Sequence, residues 1–187
     1  MKIILASGSP RRRELLTLIG YEFEVIPADV DETADPRLTP GELVAALSEK
    51  KALAIRDDTA LVIGADTVVA IDGLILGKPQ DDRDAFDMLS RLQGRDHVVY
   101  TGVTVVSPGF CETFVERTKV FMRSLSDPEI WEYIATGEPR DKAGAYGIQE
   151  RGAVLIERVE GDYFTVVGLP LCRLDMVVKT ALSQARI

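Results

Sequence analysis

The chain has 187 residues, is 46% hydrophobic and 28% charged, and carries a formal net charge of -8. That length suits one domain, or two small joined lobes, with a core that needs no covalent staples. The acidic balance excludes a general nucleic-acid binder, which needs a basic surface to displace counterions, and it disfavours a membrane-surface protein on similar grounds. No segment approaches the ~18 consecutive apolar residues of a membrane helix. The opening apolar run is too short for a secretion signal, so a cytoplasmic location is expected.

Residues 2–6 read as a short buried strand. Ser7-Gly8-Ser9-Pro10 is a turn, and a helix follows with Ser9 as its cap, Pro10 in its first position and Gly20 at its end. Leu15, Leu16 and Ile19 give that helix its apolar face. A polar, acidic stretch runs from 29 to 40. A second helix is expected from Pro40 to about Arg56, with Val44, Leu47, Lys51 and Ile55 on one face. Lys51 interrupts that apolar stripe.

Residues 61–70 read as a strongly apolar strand broken by Asp66-Thr67. Asp72-Gly73 signals a tight hairpin into Leu74-Ile75-Leu76, and Gly77-Lys78-Pro79 leaves it as a loop. A third helix covers about 82–93, with Ala85, Met88, Leu89 and Leu92 inward. Two β-rich runs, 96–107 and 111–122, are expected to pair antiparallel. A helix at 126–135 leads into a long glycine-rich loop at 136–150, a strand at 153–159 and a turn at Glu160-Gly161-Asp162. The last helix follows Gly168-Leu169-Pro170, with Leu174, Val177, Val178, Ala181 and Leu182 on one face. Helices and strands interleave and hairpins occupy the middle, so the expected class is α/β with a mixed sheet. Neither a GxGxxG turn after a strand nor a Walker A motif is present.

Five segments hold the chemistry. Ser7-Gly8-Ser9-Pro10 followed by Arg11, Arg12 and Arg13 joins a small-residue turn to a helix start, an anion-binding geometry. Three arginines at the positive end of a helix dipole oppose each other locally, and a bound polyphosphate would reverse that penalty. Asp66 stands inside an apolar strand, where a carboxylate is costly unless paired or bound to metal. It could hold Mg2+ or take a proton from water, and Thr67 could bond a base or phosphate. Asp29, Asp31 and Glu32 form an acidic group suited to a hard cation, or simply to solvent. Lys51 and Lys78 can act as point charges on phosphate oxygens. In the 136–150 loop, Asp141 and Lys142 supply charge, and the Gln149 amide pairs a donor with an acceptor suited to a nucleobase edge.

The two cysteines, Cys111 and Cys172, form no CxxC or Cys/His cluster and read as unpaired structural thiols. His97, the only histidine, lies beside a β-type run and reads as structural. A histidine-rich metal site elsewhere is excluded.

Together these segments resemble the Maf family of nucleotide pyrophosphatases. The matching stretches are 7–16, Asp31-Glu32-Thr33, 64–69, Gly77-Lys78-Pro79, Thr136-Gly137-Glu138-Pro139, 141–149 and 166–171, in family order and across nearly the whole chain. The resemblance implies a fold like that of inosine triphosphate pyrophosphatases: an elongated mixed β-sheet flanked by helices, in two lobes with a central cleft, and a homodimer. It implies removal of pyrophosphate from nucleoside triphosphates with a divalent metal, Mg2+ or Mn2+. The double-arginine turn and the full 141–149 loop look like the branch acting on dTTP and UTP; another branch prefers 7-methyl-GTP. By the resemblance Asp66 is the proton acceptor and, with Glu32, a metal ligand. Arg11, Thr67 and Gln149 match specificity positions of that branch. Ser7, Arg12, Glu32, Lys51 and Lys78 match substrate- or metal-handling positions. The sequence departs from the family pattern at Glu150 (usually glycine), Asp162 (usually serine) and Cys172-Arg173 (commonly Glu-Thr). Two other readings stand beside hydrolysis: a nucleotidyl or sugar-nucleotide transferase, and a nucleotide-binding division inhibitor without turnover.

Overall fold

The computed structural model describes residues 1–33 and 35–184. Among these, seven strands form one mixed sheet with helices against it, an α/β arrangement. The strands are β1 (Lys2–Leu5), β2 (Glu24–Val25), β3 (Ala60–Ile71), β4 (Leu74–Leu76), β5 (Asp96–Ser107), β6 (Phe110–Met122) and β7 (Ile156–Glu160). The helices are α1 (Pro10–Leu18), α2 (Pro40–Ala54), α3 (Asp82–Leu92), α4 (Asp127–Ile134), α5 (Tyr163–Val167) and α6 (Leu171–Gln184). The sheet order is β2-β1-β3-β5-β6-β7, with β4 paired to β3. The chain divides into two compact units, passing from one to the other after Asp66 in β3, after Tyr100 in β5, after Glu116 in β6 and after Val167.

The first unit takes residues 1–66, 101–116 and the chain from 168 onward. Here β1 runs parallel to both β2 and β3, with Ile3 opposite Leu61 and Leu5 opposite Ile63. Such strands are buried on both faces, which is why 2–6 and 60–65 read as continuous apolar runs. Two glycines let α2 approach the sheet. A Cβ at Gly64 would overlap the Ser48 carbonyl oxygen and stand 2.7 Å from the Ala52 nitrogen. One at Gly102 would overlap the Val44 carbonyl oxygen and stand 2.9 Å from the Ala45 nitrogen. Two successive turns of α2 thus rest directly on bare backbone of β3 and β5. The helix starts with a capping box, Thr39 accepting from the Glu42 N–H at 3.3 Å while Glu42 accepts from the Thr39 N–H at 2.9 Å. Ser48 continues the contact through Thr104 to Thr113, hydroxyl to hydroxyl, at 2.9 and 2.8 Å. The departure at Arg173 has a local partner: its guanidinium pairs with Glu116 at 2.9 Å and covers the Phe114 ring.

The second unit takes residues 67–100 and 117–167. Its core gathers Val69, Leu89, Leu92, Val99, Ile130 and Tyr146. Asp72 and Gly73 both adopt positive φ, 51° and 77°, and make the β3–β4 hairpin turn that Asp-Gly signals. The expected strand at 153–159 begins only at Ile156, because 150–155 form a short 3-10 segment packed through Gly152 and Leu155. The glycine-rich loop likewise holds single 3-10 turns at Glu138–Asp141 and Ala143–Ala145. Helix α5 has no counterpart in the sequence reading. Asp162 caps it, accepting from the Thr165 N–H at 2.7 Å and hydroxyl at 2.8 Å, so this acidic departure performs a serine's capping task. Glu150 holds φ 54°, the left-handed conformation natural to the glycine it replaces.

His97 is buried, as its structural reading required, with Nε2 2.6 Å from the Tyr146 hydroxyl and Nδ1 without a hydrogen-bond partner. Burial pushes the imidazole down to about 4, against a weaker opposing field from Asp96. Below pH 6.5 the unfolded chain therefore binds a proton that the folded chain refuses. Stability is retained above that pH and is lost as pH falls toward 4. The depression corresponds to about 3 kcal/mol over the full window, and about 2 kcal/mol of it falls between pH 7 and 5. Denaturant titrations at pH 7 and 5 should record that loss, and His97→Gln should abolish most of the difference. A wild-type stability that is flat across this interval contradicts the assignment.

Candidate active site

In the first unit, one buried ammonium organises the acidic residues. Lys51 sits in the last turns of α2, on the face that rests on β3, and is only 7% exposed. Its Nζ donates to Asp66 Oδ1 at 2.7 Å and pairs with Glu32 Oε1 at 2.9 Å. Asp66 is equally buried, whereas the Glu32 side chain is 57% exposed, so the Asp66 pair is the firmly held one. The register explains the meeting. Side chains alternate along a strand, so Val62, Gly64 and Asp66 share the face that meets α2. Gly64 brings the helix close, and Asp66, one step further on the same face, meets Lys51.

Glu32 reaches this point because its loop is docked by consecutive lysines. Lys50 Nζ donates to the Asp31 carbonyl oxygen at 2.5 Å, while Lys51 takes the neighbouring Glu32 carboxylate. The Asp31 carboxylate turns inward on its own loop, accepting from the Thr33 N–H at 2.9 Å and hydroxyl at 2.5 Å. Those bonds hold its pKa below the usual carboxylate range. Asp31 therefore shapes the turn, and Asp29 is exposed.

The arginine turn supplies the other polar cluster. Ser9 caps α1, accepting from the Arg12 N–H at 3.5 Å. The Arg12 guanidinium folds back under the turn: Nε donates to the Gly168 carbonyl at 2.9 Å, and Nη1 donates to Ser7 Oγ at 3.1 Å and the Ala65 carbonyl at 2.9 Å. Burial lowers the Arg12 pKa, opposed by the field of Asp66, then reinforced by Arg11 and opposed again by Glu32. Arg12 thus pins the residue before Asp66 and feels both carboxylates. The sequence reading explained three arginines at a helix start by a bound polyphosphate; the fold itself provides three oxygen acceptors for one of them. Arg11 is half-buried on the same turn and Arg13 is exposed.

Thr67, Lys78 and Gln149 belong to the second unit. Thr67 and Gln149 are half-buried and Lys78 is exposed. The Gly144 N–H donates to the Gly77 carbonyl at 3.0 Å, which ties the glycine-rich loop to the residue preceding Lys78. A Cβ on Gly144, whose φ is 71°, would stand 2.9 Å from a Val69 methyl. Lys142 bonds inward, to the Glu138 carbonyl at 2.8 Å and the Asp141 carboxylate at 2.9 Å. Sequence reasoning missed Gly102 and Glu138. Gly102 gives no sequence signal apart from being a glycine inside a β-rich run. Glu138 accepts from the Arg151 and Gly152 N–H groups, both at 3.1 Å, partners too distant in sequence to be visible there.

Among the described residues no group of three or more His, Cys, Asp or Glu side chains is placed to enclose a metal. The available set is Glu32 and Asp66. Two carboxylates suit Mg2+, which commonly takes one or two from the protein and the remainder from water and phosphate oxygens. Both cysteines are free and exposed. No helix among the described residues is long and apolar enough to cross a membrane.

Known proteins resemble this chain along nearly its whole length. The Maf-like protein family model matches residues 2–181. A dTTP/UTP pyrophosphatase of Pelotomaculum thermopropionicum is 52% identical over 183 residues, covering 95% of this chain and 96% of that protein. One of Bacillus cytotoxicus is 50% identical over 180 residues, covering 95% and 94%. A third, of Thermoanaerobacter pseudethanolicus, is 50% identical over 185 residues, covering 96% of each. With the mixed α/β sheet described above, these matches lead to one conclusion: the chain belongs to the Maf-like protein family.

Proposed function

We propose that this protein hydrolyses dTTP and UTP to the monophosphate and pyrophosphate. Relatives bearing that activity in their names share about half of its residues over nearly full length. The observation with most weight is the Lys51 ammonium held by both Asp66 and Glu32. It supports the reading of Asp66 as the proton acceptor, with a fixed positive charge beside it in an otherwise acidic protein.

In this reading water attacks the α-phosphorus, the bond to the bridging oxygen breaks, and pyrophosphate leaves with that oxygen. Asp66 takes the proton from the attacking water. Lys51 fixes the direction of the Asp66 carboxylate and offsets charge on the phosphates, so that positioning and neutralisation supply most of the acceleration. Arg12 holds Ala65 and Ser7 in place, and with Arg11 gives the turn a positive field. A divalent cation, Mg2+ or Mn2+, would be held by Glu32 and Asp66 and would neutralise phosphate charge. Lys78 would add a further phosphate contact, while Arg11, Thr67 and Gln149 would select the base. A cytoplasmic location and a homodimer complete the proposal.

The test is a panel of nucleoside triphosphates incubated with Mg2+ and scored by product identity. Monophosphate and pyrophosphate from dTTP and UTP, at rates well above the purine nucleotides, are expected. A wide preference for 7-methyl-GTP, a nucleotidylated acceptor in place of free products, or tight binding without products would overturn it.

A further inference from the structure

The loop that presents Gln149 is closed by side chains with no assigned part in the reaction. Its segment 147–152 is fastened at both ends. At the first end the Gly147 N–H donates to the Tyr133 hydroxyl oxygen at 3.1 Å. At the second end the Glu138 carboxylate accepts from the Arg151 N–H on one oxygen and the Gly152 N–H on the other, each at 3.1 Å. Burial raises the Tyr133 pKa and the nearby Glu138 charge adds to that rise, so the carboxylate of the second fastening lies close to the hydroxyl of the first. The ends also press together: a Cβ on Gly152 would overlap the Gly147 carbonyl oxygen and stand 2.8 Å from the Tyr133 oxygen. Gln149 lies midway, followed by Glu150 in the left-handed conformation.

Tyr133 is buried on α4, so the Gly147 end of the clasp is anchored on a helix. A base-reading amide discriminates only while its donor and acceptor are held in direction, because a mobile amide can rotate to suit the wrong edge. We infer that Glu138, with Tyr133, is a positioning residue for nucleotide selection: the pair pre-orders the 147–152 loop and so fixes Gln149. This rests on the reading of Gln149 as a base contact given above.

Glu138→Gln keeps the size of the side chain but sets an amide NH2 against one of the two N–H groups. The decisive measurement is steady-state kinetics for dTTP and dCTP, which differ at the Watson–Crick edge, with wild type, Glu138→Gln and Gln149→Ala. Glu138→Gln should raise KM for dTTP about tenfold, keep kcat within about threefold, and cut the dTTP to dCTP ratio of kcat/KM about tenfold. Gln149→Ala should cut that ratio at least as far. Tyr133→Phe, which frees only the Gly147 end, should move KM and the ratio in the same direction and guards against a Glu138 variant that folds poorly. If Gln149→Ala collapses the ratio while Glu138→Gln and Tyr133→Phe leave it intact, the clasp has no such role. A uniform fall in kcat for both nucleotides with the ratio preserved overturns the inference in the same way. A ratio untouched by Gln149→Ala removes the base-reading role itself, and the inference with it.

Discussion

Gly64→Ala should cost this protein about 3 kcal/mol of stability, and should separate Lys51 from Asp66 in whatever folded fraction remains. The added methyl has no free direction. It would meet the Ser48 carbonyl oxygen and the Ala52 nitrogen, which are the two ends of one helical hydrogen bond of α2, together with the Ala52 Cβ at 2.9 Å. Backbone cannot rotate aside as a side chain can, so relief requires α2 to lift from β3. Because Lys51 is the neighbour of Ala52, that movement withdraws the ammonium from the strand carrying Asp66. Denaturant unfolding checks the first effect and turnover of dTTP the second. Gly73→Ala is the informative comparison: that turn has positive φ but open space around it, so only the backbone conformational penalty of about 1 kcal/mol applies and turnover should persist. Equal stability losses at the two positions would show that the close approach of α2 is not what Gly64 provides.

Most elements were legible because their signals are local. Ser9-Pro10 and Thr39-Pro40 start helices through capping and proline geometry, and Asp72-Gly73 closes a hairpin for the same kind of reason. The α2 stripe was readable to the point of exposing its anomaly: Lys51 among apolar residues is the buried cation that now pairs with Asp66. What escaped lacks local pattern. Strand β2 is two residues long and exists only because β1 offers it an edge. Residues 153–155 have strand-like side chains, yet the pinned loop draws them into a 3-10 turn. The glycines at 64 and 102 were visible, but the helix that requires them comes from another part of the chain. Among the candidate residues, Asp66 and Lys51 could be suspected because each breaks an apolar pattern. Residue chemistry did not separate Glu32 from Asp29 and Asp31, and only the family resemblance picked it out; in the fold Lys51 pairs with it, while the Asp31 carboxylate is engaged by Thr33.

The second large effect concerns Asp66 itself. Asp66→Asn retains the shape of the side chain and an oxygen that can still accept from Lys51 at the present 2.7 Å, and Lys51 keeps Glu32 as its counter-charge. The variant should therefore fold, with a stability loss of about 1–3 kcal/mol for the weakened buried pair. An amide oxygen is far too weak a base to take a proton from water. General-base assistance is worth about 100-fold or more, so kcat should fall by at least that factor. Dissociation of dTTP measured without metal, and hence without turnover, should change far less, since the substitution leaves Lys51, Arg11 and Arg12 in place.

The measurement that goes straight to the central claim is turnover of dTTP by folded Asp66→Asn protein at saturating substrate and Mg2+. A rate at least about 100-fold below wild type, with a native circular dichroism spectrum and retained nucleotide binding, is the predicted result. Turnover close to wild type would mean that the carboxylate held by Lys51 does not activate the water.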